Sequence, residues 1–399
     1  MKTKYFSYDV SEAAEILRNG GLVAVPTETV YGLAGNGLDE KAVSNIYEVK
    51  GRPTVKPLSL MVPDSSAMEL YCENVPQQAK LMAEKFWPGP LTIVLESRKC
   101  VPEIVRAGGN TVGLRCPDHE LTLKALKLAG IPFAAPSANP SGEESPKNAE
   151  KVREYFDGKI DGIIDGGPCG IGKESTLIDM SRTPYKILRQ AALSESDIAD
   201  ALVQGMKVVG VTGGSGTGKS TAVKALEAVG ALVIDCDRIY HGLLETDSEL
   251  INELNDSFEG VIIGGRLDRR ALGAIVFNDS EALKKLNTVT HFHVRNEVKR
   301  LLRTHAMNGG TLAAIDASEL FDGHADEMCT LTVGIIAERE KRIERITARD
   351  GISREYAEKR VSAQHDDAYF REKCDIIIEN NSTKEEFYNK CTKIFTEAI

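Results

Sequence analysis

Gly213-Gly214-Ser215-Gly216-Thr217-Gly218-Lys219-Ser220 decides how the second half of this chain is read. The run has the G-x4-G-K-S spacing of a phosphate-binding loop. Val208-Val209-Gly210-Val211 just before it is short, apolar and β-branched, which predicts a buried strand. From Thr221 to Val229 apolar residues recur at helical spacing. Strand, glycine loop and helix in that order aim backbone N–H groups and a helix N-terminus at one point, a cradle for polyphosphate. Gly213, Gly214, Ser215, Gly216, Thr217, Gly218, Lys219, Ser220 and Thr221 are therefore the expected ATP-binding residues. Lys219 reaches the β- and γ-phosphates, and the Ser220 hydroxyl is the expected Mg2+ ligand.

Downstream, Ala231-Leu232-Val233-Ile234 reads as a second buried strand ending in Asp235-Cys236-Asp237. Acid at that strand end faces the ligand of the loop. A long helical region follows through Arg269, Arg270, His291 and His293 to Arg303. Further strands are expected at Leu312 to Ile315, Leu331 to Ile336 and Asp375 to Glu379, with a last helix to Ala398. Arg342, Arg345 and Arg349 recur at three and four residues, so they share a helix face. They suit a phosphate-clamping lid, although a solvated helix paired with Glu338 and Glu344 is the plainer reading without the loop. These elements make a P-loop NTPase α/β domain, of the nucleoside-monophosphate-kinase type, with a helical lid.

The loop lies past the middle of a 399-residue chain, so the residues before it need a fold of their own. Two domains are expected, 1–204 and 205–399, joined by the minimal break Gln204-Gly205. Apolar content of 42% supplies two sizeable cores. The net charge of −10, shared between the halves, argues against bulk nucleic-acid or anionic-membrane binding. Eight cysteines without a C-x-x-C pair suggest reduced thiols in a cytoplasmic protein. No run is long and apolar enough to predict a membrane span, and no secretory leader is expected.

The first half alternates short strands with helices, an α+β or twisted α/β sheet. Ser11 is the expected cap of a helix to about Asn19, and Leu22-Val23-Ala24-Val25 the first buried strand. A helix from Asp39 to Val49 leads to Lys50-Gly51-Arg52-Pro53 and Lys56-Pro57-Leu58. Three cations in seven residues, broken by Gly and Pro, suit a polyphosphate; a solvated basic turn is the alternative. Arg115 ends the strand Thr111-Val112-Gly113-Leu114-Arg115. No His, Cys or Asp arrangement in this half looks like a nucleophile.

The motifs P-T-E-T-V-Y-G-L, K-G-R-P-x-x-K-P-L, P-G-P-L-T, G-L-R-C-P, A-P-S-A-N-x-S-G and E-S-T-L-I-D occur in this order over residues 8–202. In them the first half resembles the YrdC-like threonylcarbamoyl-AMP synthases. The resemblance implies condensation of L-threonine, bicarbonate and ATP to threonylcarbamoyl-adenylate and pyrophosphate. The product would feed a downstream tRNA-modifying transferase complex that makes threonylcarbamoyladenosine. It implies Thr29, Arg115 and Ser175 around threonine, and Lys50, Arg52, Lys56, Thr111, Ser137, Asn139, Ser145 and Arg189 around ATP. Met61 stands where some members have histidine, and Ala191 departs from a usual R-x-G.

Residues 206–397 resemble dephospho-CoA kinase. The motifs are T-G-G-x-x-G-T-G-K-S-T, V-I-D-C-D-R-I-Y-H, L-D-R-R-A-L-G-x-x-V-F, L-N-x-x-x-H, the R-x-x-x-R-D run at Arg345, Arg349 and Asp350, and Ala363-Gln364. The implied reaction moves the γ-phosphoryl of ATP to the ribose 3′-hydroxyl of dephospho-CoA. Asp237 would orient or deprotonate that hydroxyl, Lys219 would hold the donor, and Arg345 and Arg349 would neutralise the moving charge. Departures gather on the acceptor side. Phe292 replaces a usual proline after His291, and Asp316-Ala317-Ser318-Glu319-Leu320-Phe321-Asp322 replaces an apolar D-x-P-L-L-F-E run. Glu319 is expected to repel an anionic acceptor. A bifunctional enzyme is the leading expectation. The alternative is a synthase fused to a P-loop module with another acceptor or a nucleotide-sensing role.

Overall fold

The structure is a computed structural model that describes residues 2–263, 266–276 and 279–399. Phe277, which closes the L-D-R-R-A-L-G-x-x-V-F motif, lies outside the described residues. The chain divides into two compact units. One runs through Gly205, and the other runs from Met206 onward save Met307–Gly309, which belong to the first.

The first unit is built on one ten-stranded sheet. Across it the strands run Lys4–Phe6, Gly162–Ile164, Val23–Val25, Gly32–Asn36, Phe133–Ala134, Ser59–Met61, Thr111–Arg115, Leu91–Glu96, Thr176–Asp179 and Lys186–Arg189. Parallel and antiparallel pairs are mixed. The central strands are short and apolar because helices cover them: Val23, Val25 and Ala34 pack with Ala13, Leu17, Leu126 and Phe133. Helix Glu40–Lys50 starts on the Asp39 carboxylate, which accepts from the Lys41 N–H, and ends at Gly51, whose φ of 58° permits the left-handed turn. This turn launches the cationic loop. Helix Ser11–Arg18 forms as expected, but Ser11 does not cap it. Asp9 accepts the Ser11 N–H instead, and Ser11 is already the first helical residue.

The second unit carries a wholly parallel five-stranded sheet in the order Leu232–Asp235, Leu312–Asp316, Lys207–Thr212, Leu331–Ile336, Ile376–Glu379. The phosphate-loop strand is central. Helix Lys219–Ala228 and the last helix, Lys384–Ala398, cover one face, where Ala222, Leu226, Phe387 and Phe395 meet Val209, Val211 and Ile335. A Thr383–Glu386 capping box starts the last helix. The long helical region resolves into Arg269–Val276 and Ser280–Met307. With Cys236–Thr246 and Ser248–Ser257 these helices bury a satellite core of Leu244, Leu250, Leu254, Phe258 and Leu272. Register pairs Asp235 with Asp316, so two carboxylates end neighbouring strands beside the loop. Among the described residues no helix is long and apolar enough to cross a membrane.

Candidate active sites

In the second unit the loop 213–218 walls a cleft of about 590 Å3. Gly213, Gly214, Ser215, Gly216, Gly218, Lys219, Ser220 and Thr221 all line it, together with Asp237, Asp316 and Ser318. Thr217 is the exception. Its buried hydroxyl turns back to donate to the Gly214 carbonyl at 2.8 Å, holding the curl of the loop. Gly218 sits at φ 97° against Asn380, a place that excludes any side chain. Asn380 in turn donates to the Thr217 carbonyl at 2.7 Å.

The three arginines of helix Arg339–Asp350 divide their work. Arg342 is buried behind the loop. Its guanidinium donates to the Ser215 carbonyl at 3.0 Å and to Gln364 at 2.8 Å, and burial lowers its pKa. Gln364 also accepts the Ser215 N–H at 2.9 Å. Arg345 lines the cleft while donating to the Gly216 carbonyl at 3.2 Å and to Asn380. Arg349 lines it from the rim, paired with Asp350 at 2.6 Å. A shared helix face therefore yields one brace and two cleft residues. Arg360, Asn380, Ser382 and Lys384 complete the wall. No local motif marks them, because they come from two segments that converge there with the loop.

Lys219 forms an ion pair with Asp316 at the end of the next strand. Burial raises the Asp316 pKa, the Lys219 ammonium opposes the rise, and Asp235 and Asp237 add to it. Among the described residues no group of three or more acidic, His or Cys side chains could hold a metal unaided. A cation at the Ser220 hydroxyl would therefore depend on phosphate oxygens and water for its other ligands. Cys236, beside Asp237, is a neutral thiol: burial first, then the Asp237 charge, push it up to about 12.

Asp237 and Ser318 also border a second cavity of about 350 Å3, walled by Tyr240, Leu283, Leu286, Thr290, Val294 and Ala325. Glu319 sits on its edge, largely exposed, with its carboxylate 3.1 Å from His291 Nε2. Asp322 is similarly taken by His365 at 3.0 Å.

The first unit holds its own cleft of about 350 Å3. Arg52, Lys56, Arg115, Ser137, Ser175 and Arg189 line it, with Tyr31, Met61, Thr92 and Glu174. Arg115 is nearly buried. It donates to Thr29 Oγ1 at 2.8 Å, to Glu28 at 2.7 Å and through Nε to the Gly89 carbonyl. Glu28 also accepts the Asp118 N–H at 3.0 Å, so it fixes the guanidinium from behind. Ser175 shares a hydrogen bond of 2.8 Å with Thr92 and receives Arg189 at 3.2 Å. Glu174 answers Arg189 at 3.5 Å and accepts from Ser145 at 3.1 Å.

Four expected ATP residues stand outside this lining: Ser145, which bonds to Glu174, and Lys50, Asn139 and Thr111. Lys50 is buried beneath the cleft, its ammonium bonded to the Ser137 and Asn139 carbonyls, and burial pushes its pKa down to about 7. It belongs to the support of the 137–139 loop, not to an exposed cationic loop. Asn139 is buried too, its amide donating to Pro140 and Glu143 carbonyls at 2.8 Å. Thr111 begins the strand that Arg115 ends, so it lies at the opposite end and takes no part in the wall. Glu28 and Glu174 were passed over by residue-level reading, although both sit inside quoted motifs.

The dephospho-CoA kinase family model matches residues 207–386. Over 194 residues the chain is 32% identical to the dephospho-CoA kinase of Geobacter sulfurreducens, spanning 48% of this chain and 98% of that protein. The chain belongs, through its second unit, to the dephospho-CoA kinase family. The kinase cleft and its family both point to ATP as ligand there. Ahead of the kinase unit, residues 15–191 match the Sua5–YciO–YrdC family model, described as "Telomere recombination". That half is 48% identical over 186 residues to the threonylcarbamoyl-AMP synthase of Pyrococcus abyssi, covering 47% of this chain and 55% of that protein. The corresponding figures for the Bacillus subtilis synthase are 43% over 213 residues, 50% and 61%. The chain thus spans little more than half the length of the curated synthases it matches, and a kinase unit follows the shared domain.

Proposed function

We propose that the chain is a bifunctional enzyme with an ATP site in each unit. The kinase unit transfers the γ-phosphoryl of ATP to the 3′-hydroxyl of dephospho-CoA. One observation carries this: Asp237 borders both the phosphate-loop cleft and the second, largely apolar cavity. A carboxylate at that junction can accept the proton of an acceptor hydroxyl as its oxygen bonds to the γ-phosphorus and the bond to ADP breaks. Lys219 exchanges Asp316 for the donor phosphates, and Arg345 and Arg349 meet the charge moving between the two substrates. Ser220 would hold Mg2+, which when bound neutralises phosphate charge.

The first unit joins L-threonine, bicarbonate and ATP into threonylcarbamoyl-adenylate. Arg115, held rigid by Glu28 and Thr29, suits the threonine carboxylate. Arg52, Lys56 and Arg189 suit a triphosphate whose α-phosphorus is attacked and whose pyrophosphate leaves. The product would go to a tRNA-modifying transferase complex in the cytoplasm.

Two assays test this. Pyrophosphate release must depend on both threonine and bicarbonate. Labelled phosphate must pass from ATP to dephospho-CoA in the wild type and fall by at least a hundredfold in Asp237→Ala. Phosphorylation of some other small hydroxyl compound with dephospho-CoA left untouched would replace the acceptor assignment.

A further inference from the structure

Helix Ser280–Met307 lines two neighbouring cavities with one polar stripe. Asn287, His291 and Arg295 border both the inner cavity at Asp237 and an outer groove of about 630 Å3. Their four-residue spacing sets them on one helix face. The inner cavity is largely apolar and opens at Asp237 and Ser318 toward the phosphate loop. The outer groove adds Lys284, Thr288 and His324 together with the carboxylates of Asp322 and Glu327.

The stripe residues differ in what they are free to do. His291 is engaged by Glu319 at 3.1 Å. Arg295 has no hydrogen-bond or ion-pair partner among the described residues, although it is partly buried. Holding a guanidinium partly out of water without a counter-charge costs free energy that an incoming anion recovers. The planar fork of arginine matches paired phosphate oxygens.

We infer that Arg295 anchors the diphosphate of the acceptor where the two cavities join. The inference rests on the dephospho-CoA reading of the kinase unit. With the ribose hydroxyl at Asp237 and the adenosine in the inner cavity, the acceptor leads its diphosphate outward along the stripe. The uncharged arm beyond it then lies in the outer groove. Arg295 is thereby the residue that separates a nucleotide-linked acceptor from a bare nucleoside.

The test uses the full chain as wild type, Arg295→Met and Arg295→Lys. Dephospho-CoA affinity is measured by equilibrium titration, adenosine by its competition with dephospho-CoA, and a nonhydrolysable ATP analogue reports the integrity of the phosphate loop. The expected result is a loss of tenfold or more in dephospho-CoA affinity for Arg295→Met. Arg295→Lys loses less, keeping the charge without the fork. Adenosine competition and ATP-analogue binding stay as in the wild type. Unchanged dephospho-CoA affinity in Arg295→Met overturns the anchor and leaves the kinase reading intact if transfer persists. Equal losses for adenosine overturn the diphosphate role. A wild type that neither binds nor phosphorylates dephospho-CoA removes both the anchor and the reading beneath it.

Discussion

The Lys219 ammonium is bonded to Asp316, the carboxylate that ends the neighbouring strand, and both side chains are about five-sixths out of solvent. The loop lysine therefore has a protein counter-ion before any phosphate arrives. Lys219→Met should lower phosphoryl transfer by roughly 10²–10³, the size of losing one preorganised charge stabiliser. It should also leave a buried carboxylate unanswered, costing roughly 1–3 kcal/mol of stability. Burial already raises the Asp316 pKa. Without Lys219 it rises further, so the stability deficit grows as pH rises through the folded-state pKa. Denaturation at several pH values checks this; a deficit that shrinks with rising pH contradicts it.

Glu28 and Arg115 make the analogous pair in the first unit, at 2.7 Å. Glu28→Gln keeps the shape and removes the charge that fixes the guanidinium. The threonine KM for pyrophosphate release should rise about tenfold, with kcat nearly unchanged. A rise in the ATP KM instead would move Arg115 to the nucleotide.

Lys50 gives a pH signature. Its pKa falls to about 7 in the folded chain from an ordinary value of 10.5. The unfolded chain therefore binds the proton more tightly between these values, and stability gains as pH rises through that window. Lys50→Met lacks the gain. The melting-temperature difference, wild type minus variant, should widen from pH 6.5 toward pH 9. A flat difference would show that Lys50 titrates normally.

Arg342 and Arg349 share a helix but predict opposite phenotypes. Arg342→Ala removes a buried brace from the Ser215 carbonyl, so the melting temperature should drop and the ATP KM rise. Arg349→Ala breaks only an exposed pair with Asp350, worth about 0–1 kcal/mol. Its melting temperature should hold while transfer slows. Paired melting curves and kinase assays separate them.

What the sequence made legible was what local spacing encodes. Gly213 to Ser220 is contiguous, so its strand, curl and helix could be read directly. Asp237 was found because it follows a strand by a fixed step. The function of Lys50 was not readable as local charge, because the carbonyls that bury it belong to Ser137 and Asn139, far along the chain. The contact of Glu319 with His291 was not readable, because the two residues lie on different elements. Arg342 looked like Arg345 and Arg349 because helical spacing gives a face but not the depth at which each residue lies. The Ser11 cap misses by one residue, since Val10 takes the cap position and Asp9 accepts the Ser11 N–H.

The parallel sheet of the kinase unit also sets an order of events during synthesis. Its central strand, Lys207–Thr212, gains its two neighbours only when Leu312–Asp316 and Leu331–Ile336 exist. The phosphate loop leaves the ribosome early, yet Arg342, Gln364 and Asn380, which brace it, emerge last. A nascent chain will thus carry an unbraced loop strand while most of the unit is still being made. Long-range parallel pairing of this kind is slow to form and exposes apolar strand edges meanwhile. The ten-stranded unit, complete in sequence by then save for Met307–Gly309, is the half that can fold first.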